Sequence, residues 1–413
     1  MGEGTRVVVT PTLVTCSGDA LRRGAELERL NVLRPGALAW TDGTITYAGP
    51  PEGLPESLAA DRRSTIRVDG AVLPGFVDCH THLPFYGWRA DEFEARLAGH
   101  SYRDLHGEGG IYRSARLLSE ASDDEVIEFC RGLTDEMLAH GTTALELKTG
   151  YGLSVEAELR QARLARRLAQ EMPQTATVTL LACHAVPQET SHVDWVDRVC
   201  RELIPVAASE GLADAVDVYV EDIAFSVDDL RRVAESAGQH GLPVRCHADQ
   251  LGESGAAEAA VSVGARSADH LNHVSDAGVG ALANAETVGV LLPVSTLFLR
   301  SQPPLVNDLV EAGVAIALAT DFNPGTSPCL SIPEVIAVGA SLYGMPTNTA
   351  ITAATVNAAW VLGLNDARGS LEPGKEADFV VLDAEDPAMM PYRPGHNPVA
   401  ETWIAGTRLY SRR

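Results

Sequence analysis

The chain has 413 residues, 45% of them hydrophobic, which is enough for one large domain or a large domain with a small companion. Its 32 basic residues face 56 acidic ones, and a net charge of −24 argues against nucleic acid and anionic membranes as partners. Seven cysteines at unrelated spacings, with no Cys-x-x-Cys pair, signal neither a disulfide framework nor a zinc ribbon and fit a reducing compartment.

The first ~70 residues carry short β-rich segments, RVVVTPTLVT, GALAWTDGTITYAG and STIRVDGAVLPG, split by Gly and Asp-Gly turns. The last ~40 repeat that texture in ADFVVLDA and AETWIAGTRLYS. Residues 1–69 and 375–413 are therefore expected to form one small, discontinuous β-sandwich domain. Between them, over 70–374, short apolar runs alternate with amphipathic stretches, the pattern of repeated β-α units. Eight strands are expected: AVLPGFVDCH, TTALELK, ATVTLLACH, AVDVYVE, LPVRCHA, ARSADHL, VGVLLPVS and VAIALATD. Helices are expected in DDEVIEFCRGLTDEMLAHG, which has an Asp-rich first turn and a His-Gly stop, and in VEAELRQARLARRLAQEM. The fold class is thus α/β, a (β/α)8 TIM-like barrel plus a small β-sandwich built from both chain ends. An open doubly wound sheet is the alternative, but no Gly-x-Gly-x-x-Gly loop follows the first strand. The apolar runs are too short to span a membrane and MGEGTRVVVT lacks a charged-then-apolar leader, so a cytoplasmic location is expected.

In a (β/α)8 barrel, chemistry sits at the C-terminal strand ends. Polar residues fall there: His80 and His82, Lys148, His184, Glu221, His247, His270 and Asp321, at the ends of strands one to six and eight. A lone strand-end histidine is more often structural than a ligand. His-x-His differs, because residues two apart on a strand share a face. His80 and His82 would then point together into the mouth as metal ligands. His247 and Asp321, from strands five and eight (taken as neighbours through barrel closure), can complete a Zn or Fe site with an open position. His100, His106, His140, His192, His240 and His396 are assigned surface or capping roles.

His-x-His after strand one, with His, His and Asp after strands five, six and eight, is the pattern of the amidohydrolase superfamily. Within it the chain resembles the imidazolonepropionase family along nearly its whole length. The matching stretches are PGFVDCHTHLPFYGWRADEF, ELKTGYGLS, LACHAVPQE, LADAVDVYVEDIAFS, HADQL, SADHL, VGVLLP and ATDFNPGTSP. The resemblance implies one Zn or Fe ion on His80, His82, His247 and Asp321. It implies substrate contacts from Arg89, Tyr102, Tyr151 and His184, with Asn323, Gly325 and Thr326 along the far wall. Gln250 and His270 would flank the attacking water, and Asp321 would carry its proton. The partner is an anionic small molecule, imidazolone propionate; a homodimer is a further expectation from the family.

The residue types agree. A propionate tail needs a local cation in an acidic protein, and the Arg89 fork can pair with both oxygens, although a loop ion pair with Asp91 or Glu92 would also explain it. Tyr151 lies in a Gly-flanked loop suited to close approach, or simply packs over the rim. A bound metal would lower the pKa of its water toward neutrality for attack on the ring carbonyl. HADQ departs from the His-x-x-Glu of many deaminases and some imidazolonepropionases. Gln250 cannot exchange a proton near neutral pH, which moves that role to Asp321 and His270. A smaller departure is VYVED, where Cys often precedes the Glu. The alternatives are another cyclic amide or amidine hydrolase or deaminase of the same superfamily, and a non-catalytic metal-binding scaffold.

Overall fold

The computed structural model describes residues 4–18, 21–55, 65–99 and 109–412. Its chain ends build two sheets. One pairs β1 (Arg6–Thr10), β4 (Gly36–Thr41), β5 (Thr44–Gly49) and β6 (Thr65–Arg67) in the order β5-β4-β1-β6. The other takes β2 (Leu13–Val14), β3 (Val32–Leu33), β7 (Val72–Pro74), β16 (Phe379–Leu382), β17 (Val399–Ile404) and β18 (Thr407–Ser411) in the order β18-β17-β16-β7-β2-β3. Val8, Leu38 and Ile45 of the first sheet share one apolar cluster with Leu13, Val72 and Val381 of the second. At its centre Trp40, Phe379 and Trp403 pack with ring centroids 5.1–5.7 Å apart. Alternating strands from distant parts of the sequence thus bury their apolar faces against each other.

The middle of the chain forms eight parallel strands in sequence order: β8 (Phe76–Asp78), β9 (Thr142–Lys148), β10 (Thr175–Cys183), β11 (Ala215–Val220), β12 (Val244–Ala248), β13 (Ser267–His270), β14 (Val288–Leu291) and β15 (Ile316–Leu318). The barrel is joined between β8 and β15 by side chains and a single bridge rather than by a ladder. Asp78 accepts from Thr320 N and Oγ1 at 3.1 and 2.6 Å, and His82 N donates to Phe322 O at 2.9 Å beside the Thr81–Phe322 bridge. The closing seam therefore runs through the loop that carries the two histidines.

The expected first strand is two. Val72–Pro74 pairs with β16 in the end sheet, and only Phe76–Asp78 enters the barrel. The chain switches sheets at Gly75, whose N–H goes to Asp378 while Phe76 donates to Gly141. A Cβ on Gly75 would sit 2.3 Å from Thr143 Oγ1, so only glycine allows that approach. The two expected helices form as Asp123–Ala139 and Val155–Glu171. The first starts on a Ser122–Glu125 capping box and stops at His140 with Gly141 at φ +90°. Among the described residues no helix is long and apolar enough to cross a membrane.

Candidate metal centre and substrate pocket

Strands in a barrel are covered on both faces, so their inward side chains meet one another instead of water. Here many of them are charged. Glu146 and Lys148 on β9, Asp217 on β11, Arg245 and His247 on β12, and Asp269 on β13 are all at most 3% exposed. Within each strand that contributes two of them, the pair lies two positions apart, which puts both on one face. Lys148 Nζ bridges Glu146 and Asp217 at 2.7 Å each, and Glu146 also binds Arg245 and the Thr179 hydroxyl. Burial works against the Lys148 charge, yet Asp217, Glu146 and Asp269 hold its amine up at about 12.

This network braces the imidazoles above it. Asp269 Oδ2 lies 2.6 Å from His80 Nδ1, and Asp217 Oδ2 lies 3.1 Å from His247 Nδ1. A carboxylate on Nδ1 fixes the ring and turns Nε2 away from it, toward the barrel axis. His80 Nε2 and His82 Nε2 are 3.3 Å apart, and His82 Nε2 and His247 Nε2 are 3.5 Å apart. Asp321 Oδ1 stands 3.1 Å from His82 Nε2 and 3.5 Å from His80 Nε2. Two donors each about 2.05 Å from one tetrahedral ion must lie about 3.3 Å apart, so these four side chains are spaced as a ligand set. Their ligand atoms and that of His270 also fall in two overlapping groups within 4.8 Å. In this connected network two cations, Lys148 and Arg245, face four carboxylates, Glu146, Asp217, Asp269 and Asp321. Such a carboxylate-rich surrounding suits a bound cation.

The titration pattern follows from crowding. Burial, the Lys148 charge and the neighbouring imidazoles hold His80 well below its ordinary value, and burial lowers His82. Burial takes His270 down to about 3, so it is a neutral imidazole. His247 is the exception: burial pulls it down, but Asp217 more than reverses this and it is raised. Burial works to raise Asp321, and the His82 hydrogen bond with the surrounding imidazoles outweighs it, leaving a carboxylate. His270 and Asp321 both adopt positive φ, 84° and 53°, a strained backbone that aims each side chain into the mouth.

One pocket gathers His82, Arg89, Ile111, Tyr151, His184, Tyr219, His247, Gln250, His270, Asp321, Asn323 and Thr326. Most residues expected at the site therefore line a single cavity. Arg89 is 3% exposed, and its Nε and Nη1 make no hydrogen bond to the described residues. Glu92 is 3.8 Å from it and Asp91 binds Arg113, so neither loop acid takes up the guanidinium fully. Gly325 does not line the pocket; it backs Arg89, and a Cβ there would sit 1.6 Å from Nη2. Asn323 lines the wall, but its amide serves its own loop, donating to Asp321 O and accepting from Gly325 N and Thr326 N. His184 stacks on His82 at 5.2 Å and 24°. Tyr102 lies outside the described residues, as do His100 and His106.

Some expectations change. Strands five and eight are not neighbours; β15 adjoins β8, and His247 and Asp321 each approach His82 Nε2. His80 and His82 lie beyond the regular part of β8, with Thr81 in the closing bridge, although both imidazoles still converge. Glu221 does not line the pocket. It accepts from Gln250 N and Leu251 N at 2.6 and 2.8 Å, and burial pushes its carboxyl up to about 7. Asp217, Asp269, Glu146, Arg245 and Tyr219 were not singled out from the sequence. The available signal was charge at alternate positions of strands that the barrel would bury on both sides.

The amidohydrolase family model matches residues 71–409. An imidazolonepropionase of Methylobacterium nodulans is 46% identical over 374 residues, covering 90% of this chain and 93% of that protein. One of Agrobacterium fabrum is 43% identical over 406 residues, covering 96% and 97%. Among solved structures, guanine deaminase from Bradyrhizobium japonicum superposes with a TM-score of 0.72 at 20% identity, over 100% of both chains. An adenosine deaminase from Xanthomonas campestris with bound zinc gives 0.71 at 20%, over 98% and 93%. At that identity the deaminases speak to the fold alone.

Proposed function

The chain belongs to the amidohydrolase family and, within it, to the imidazolonepropionases, and we propose a reading of its site on that premise. It is a hydrolase that opens the ring of 4-imidazolone-5-propanoate to N-formimino-L-glutamate, the reaction of histidine degradation its relatives are named for. The observation that carries the reading is the buried Arg89 fork in the same pocket as the ligand-spaced histidines and Asp321. A carboxylate-bearing substrate needs that cation, whereas a neutral base such as guanine or cytosine does not.

His80, His82, His247 and Asp321 would hold one ion, and Zn and Fe both suit three imidazoles and a carboxylate. When bound, the ion supplies Lewis acidity that activates water and polarises the ring carbonyl. Arg89 grips the propionate, with Gly325 behind it. Tyr151 and His184 bound the ring, and Asn323 shapes the loop that presents Thr326. Asp321, kept ionised, takes the proton from the attacking water and returns it to the ring nitrogen as the C–N bond breaks. Neutral His270 donates a hydrogen bond where negative charge develops on the carbonyl oxygen. Gln250 hydrogen-bonds the water without exchanging a proton. The reading extends to a cytoplasmic homodimer, which sedimentation of the purified protein would test.

The direct test follows ultraviolet loss of freshly made imidazolone propionate, with guanine and cytosine as controls. Turnover of imidazolone propionate alone is expected. Turnover of a control base without it would overturn the substrate assignment.

A further inference from the structure

The loop Thr149–Leu153 that carries Tyr151 is held from behind by two buried side chains of the helix Val155–Glu171. Glu158 is 0% exposed. Its Oε2 accepts from Gly150 N at 3.0 Å, and its Oε1 accepts from Gly152 N at 2.7 Å and Leu153 N at 3.1 Å. The Thr149 hydroxyl adds a further hydrogen bond to the same carboxylate. Gln161, also fully buried, accepts from Gly150 N at 3.1 Å and Tyr151 N at 2.9 Å, and it donates to Pro84 O at 2.8 Å. Every group facing Glu158 in this set is a donor, so only an acceptor with two oxygens satisfies them all. The loop is shaped to receive it: Gly150 sits at φ +115° and Leu153 at +54°. A Cβ on Gly152 would lie 2.3 Å from Glu158 N.

The clamp also reaches His184. Gly150 O lies 3.1 Å from His184 Nδ1. A carbonyl can only accept, so Nδ1 donates to it and the loop orients the ring. The same loop thus fixes Tyr151, 5.4 Å from the His184 ring, and the orientation of that ring.

We infer that Glu158 is a positioning residue for substrate recognition: by holding the backbone of Gly150, Gly152 and Leu153 it sets Tyr151 and the His184 ring against the imidazolone ring. The inference rests on the imidazolone propionate reading above. Glu158 touches neither the ligand-spaced residues nor the pocket, so its loss acts on substrate binding through the loop.

The test is E158Q in the full, metal-loaded protein, with kcat, KM, bound metal and Tm measured together. Gln keeps the shape but sets an NH2 group against backbone donors. The expected result is wild-type metal content, a KM raised about tenfold and a kcat lowered less than about threefold. In a Tyr151→Ala background the same substitution should raise KM by a smaller factor than in the wild type, because one of the two groups it positions is gone. If E158Q fails to fold, Gln161→Met removes the side-chain oxygen that accepts from Gly150 N and Tyr151 N and is expected to raise KM in the same way. A KM within about twofold of wild type in the folded variant, or an undiminished effect in the Tyr151→Ala background, would overturn the inference. Wild-type turnover is read in the same experiment. A wrong substrate assignment would show as an inactive parent, and a wrong role for Glu158 as an active parent whose variants keep its KM.

Discussion

The two halves of the barrel mouth are built differently. The proposed metal half is braced from strands: Asp217, His247 and Asp269 project from parallel, hydrogen-bonded β11, β12 and β13, each in a chain of buried charges, and His80, His82 and Asp321 follow just past the ends of β8 and β15. The substrate half stands on loops. Arg89 leads into a helix, Tyr151 sits between two glycines, and Thr326 sits in a turn organised by Asn323. Strands give positions that a neighbouring ladder enforces, which suits the braces of a ligand set that tolerates only tenths of an ångström. Loops can be reshaped without disturbing the ladder, which suits the part that selects a substrate and explains how deaminases share this fold.

If that division holds, damage to the metal half should abolish turnover and damage to the substrate half should weaken binding. Asp321→Ala or His247→Ala should lose the bound ion and lower kcat by on the order of 10⁴, measured by metal analysis and steady-state kinetics. Retention of metal with a mild kinetic loss would move either residue out of the ligand set.

Lys148→Met probes the bracing beneath the ligands. Leaving Glu146 and Asp217 buried without their shared cation should cost about 3 kcal/mol of stability and speed loss of metal to a chelator. An unchanged Tm and off-rate would show that the network is not needed to hold His247.

Arg89→Met should raise KM about 100-fold with kcat less affected, since a buried charge-assisted pair with the propionate is lost. Gly325→Ala, which displaces the same guanidinium, should produce the same split. A fall in kcat alone would place Arg89 in the chemistry instead.

Gln250→Ala is expected to have the smallest effect, about tenfold or less, and less than either Asp321→Ala or His270→Ala. An equal or larger loss at Gln250 would overturn the division of proton transfer proposed above.

The metal half was legible in the sequence because alternation on a strand is a rigid rule. His-x-His and the strand-end His247, His270 and Asp321 could be placed from that rule and the barrel. What it could not reveal was the bracing: Asp269 adjoins His270 in SADH, and only knowing that both strand faces are buried makes the carboxylate significant. Gly75 hid a change of sheet, because AVLPGFVD reads as one apolar run and nothing in its composition separates Val72–Pro74 from Phe76–Asp78. In the substrate half, local pattern says little. Arg89 followed by Asp91 and Glu92 reads equally well as a surface ion pair, and only tertiary packing shows the fork buried, with Glu92 no nearer than 3.8 Å and Nε and Nη1 making no hydrogen bond to the described residues. Glu158 and Gln161 look like ordinary residues of a polar helix face in VEAELRQARL until the helix is seen to turn them inward under the loop.

The central claim is that one ion, held by three imidazoles and Asp321 in a pocket that Arg89 also lines, serves to open the imidazolone ring. Its most direct test is to strip the protein with a chelator and titrate Zn or Fe back while following loss of imidazolone propionate. Activity should vanish on stripping and return linearly to a break at one ion per chain. Full activity in the stripped protein, or no hydrolysis at any loading, would contradict it.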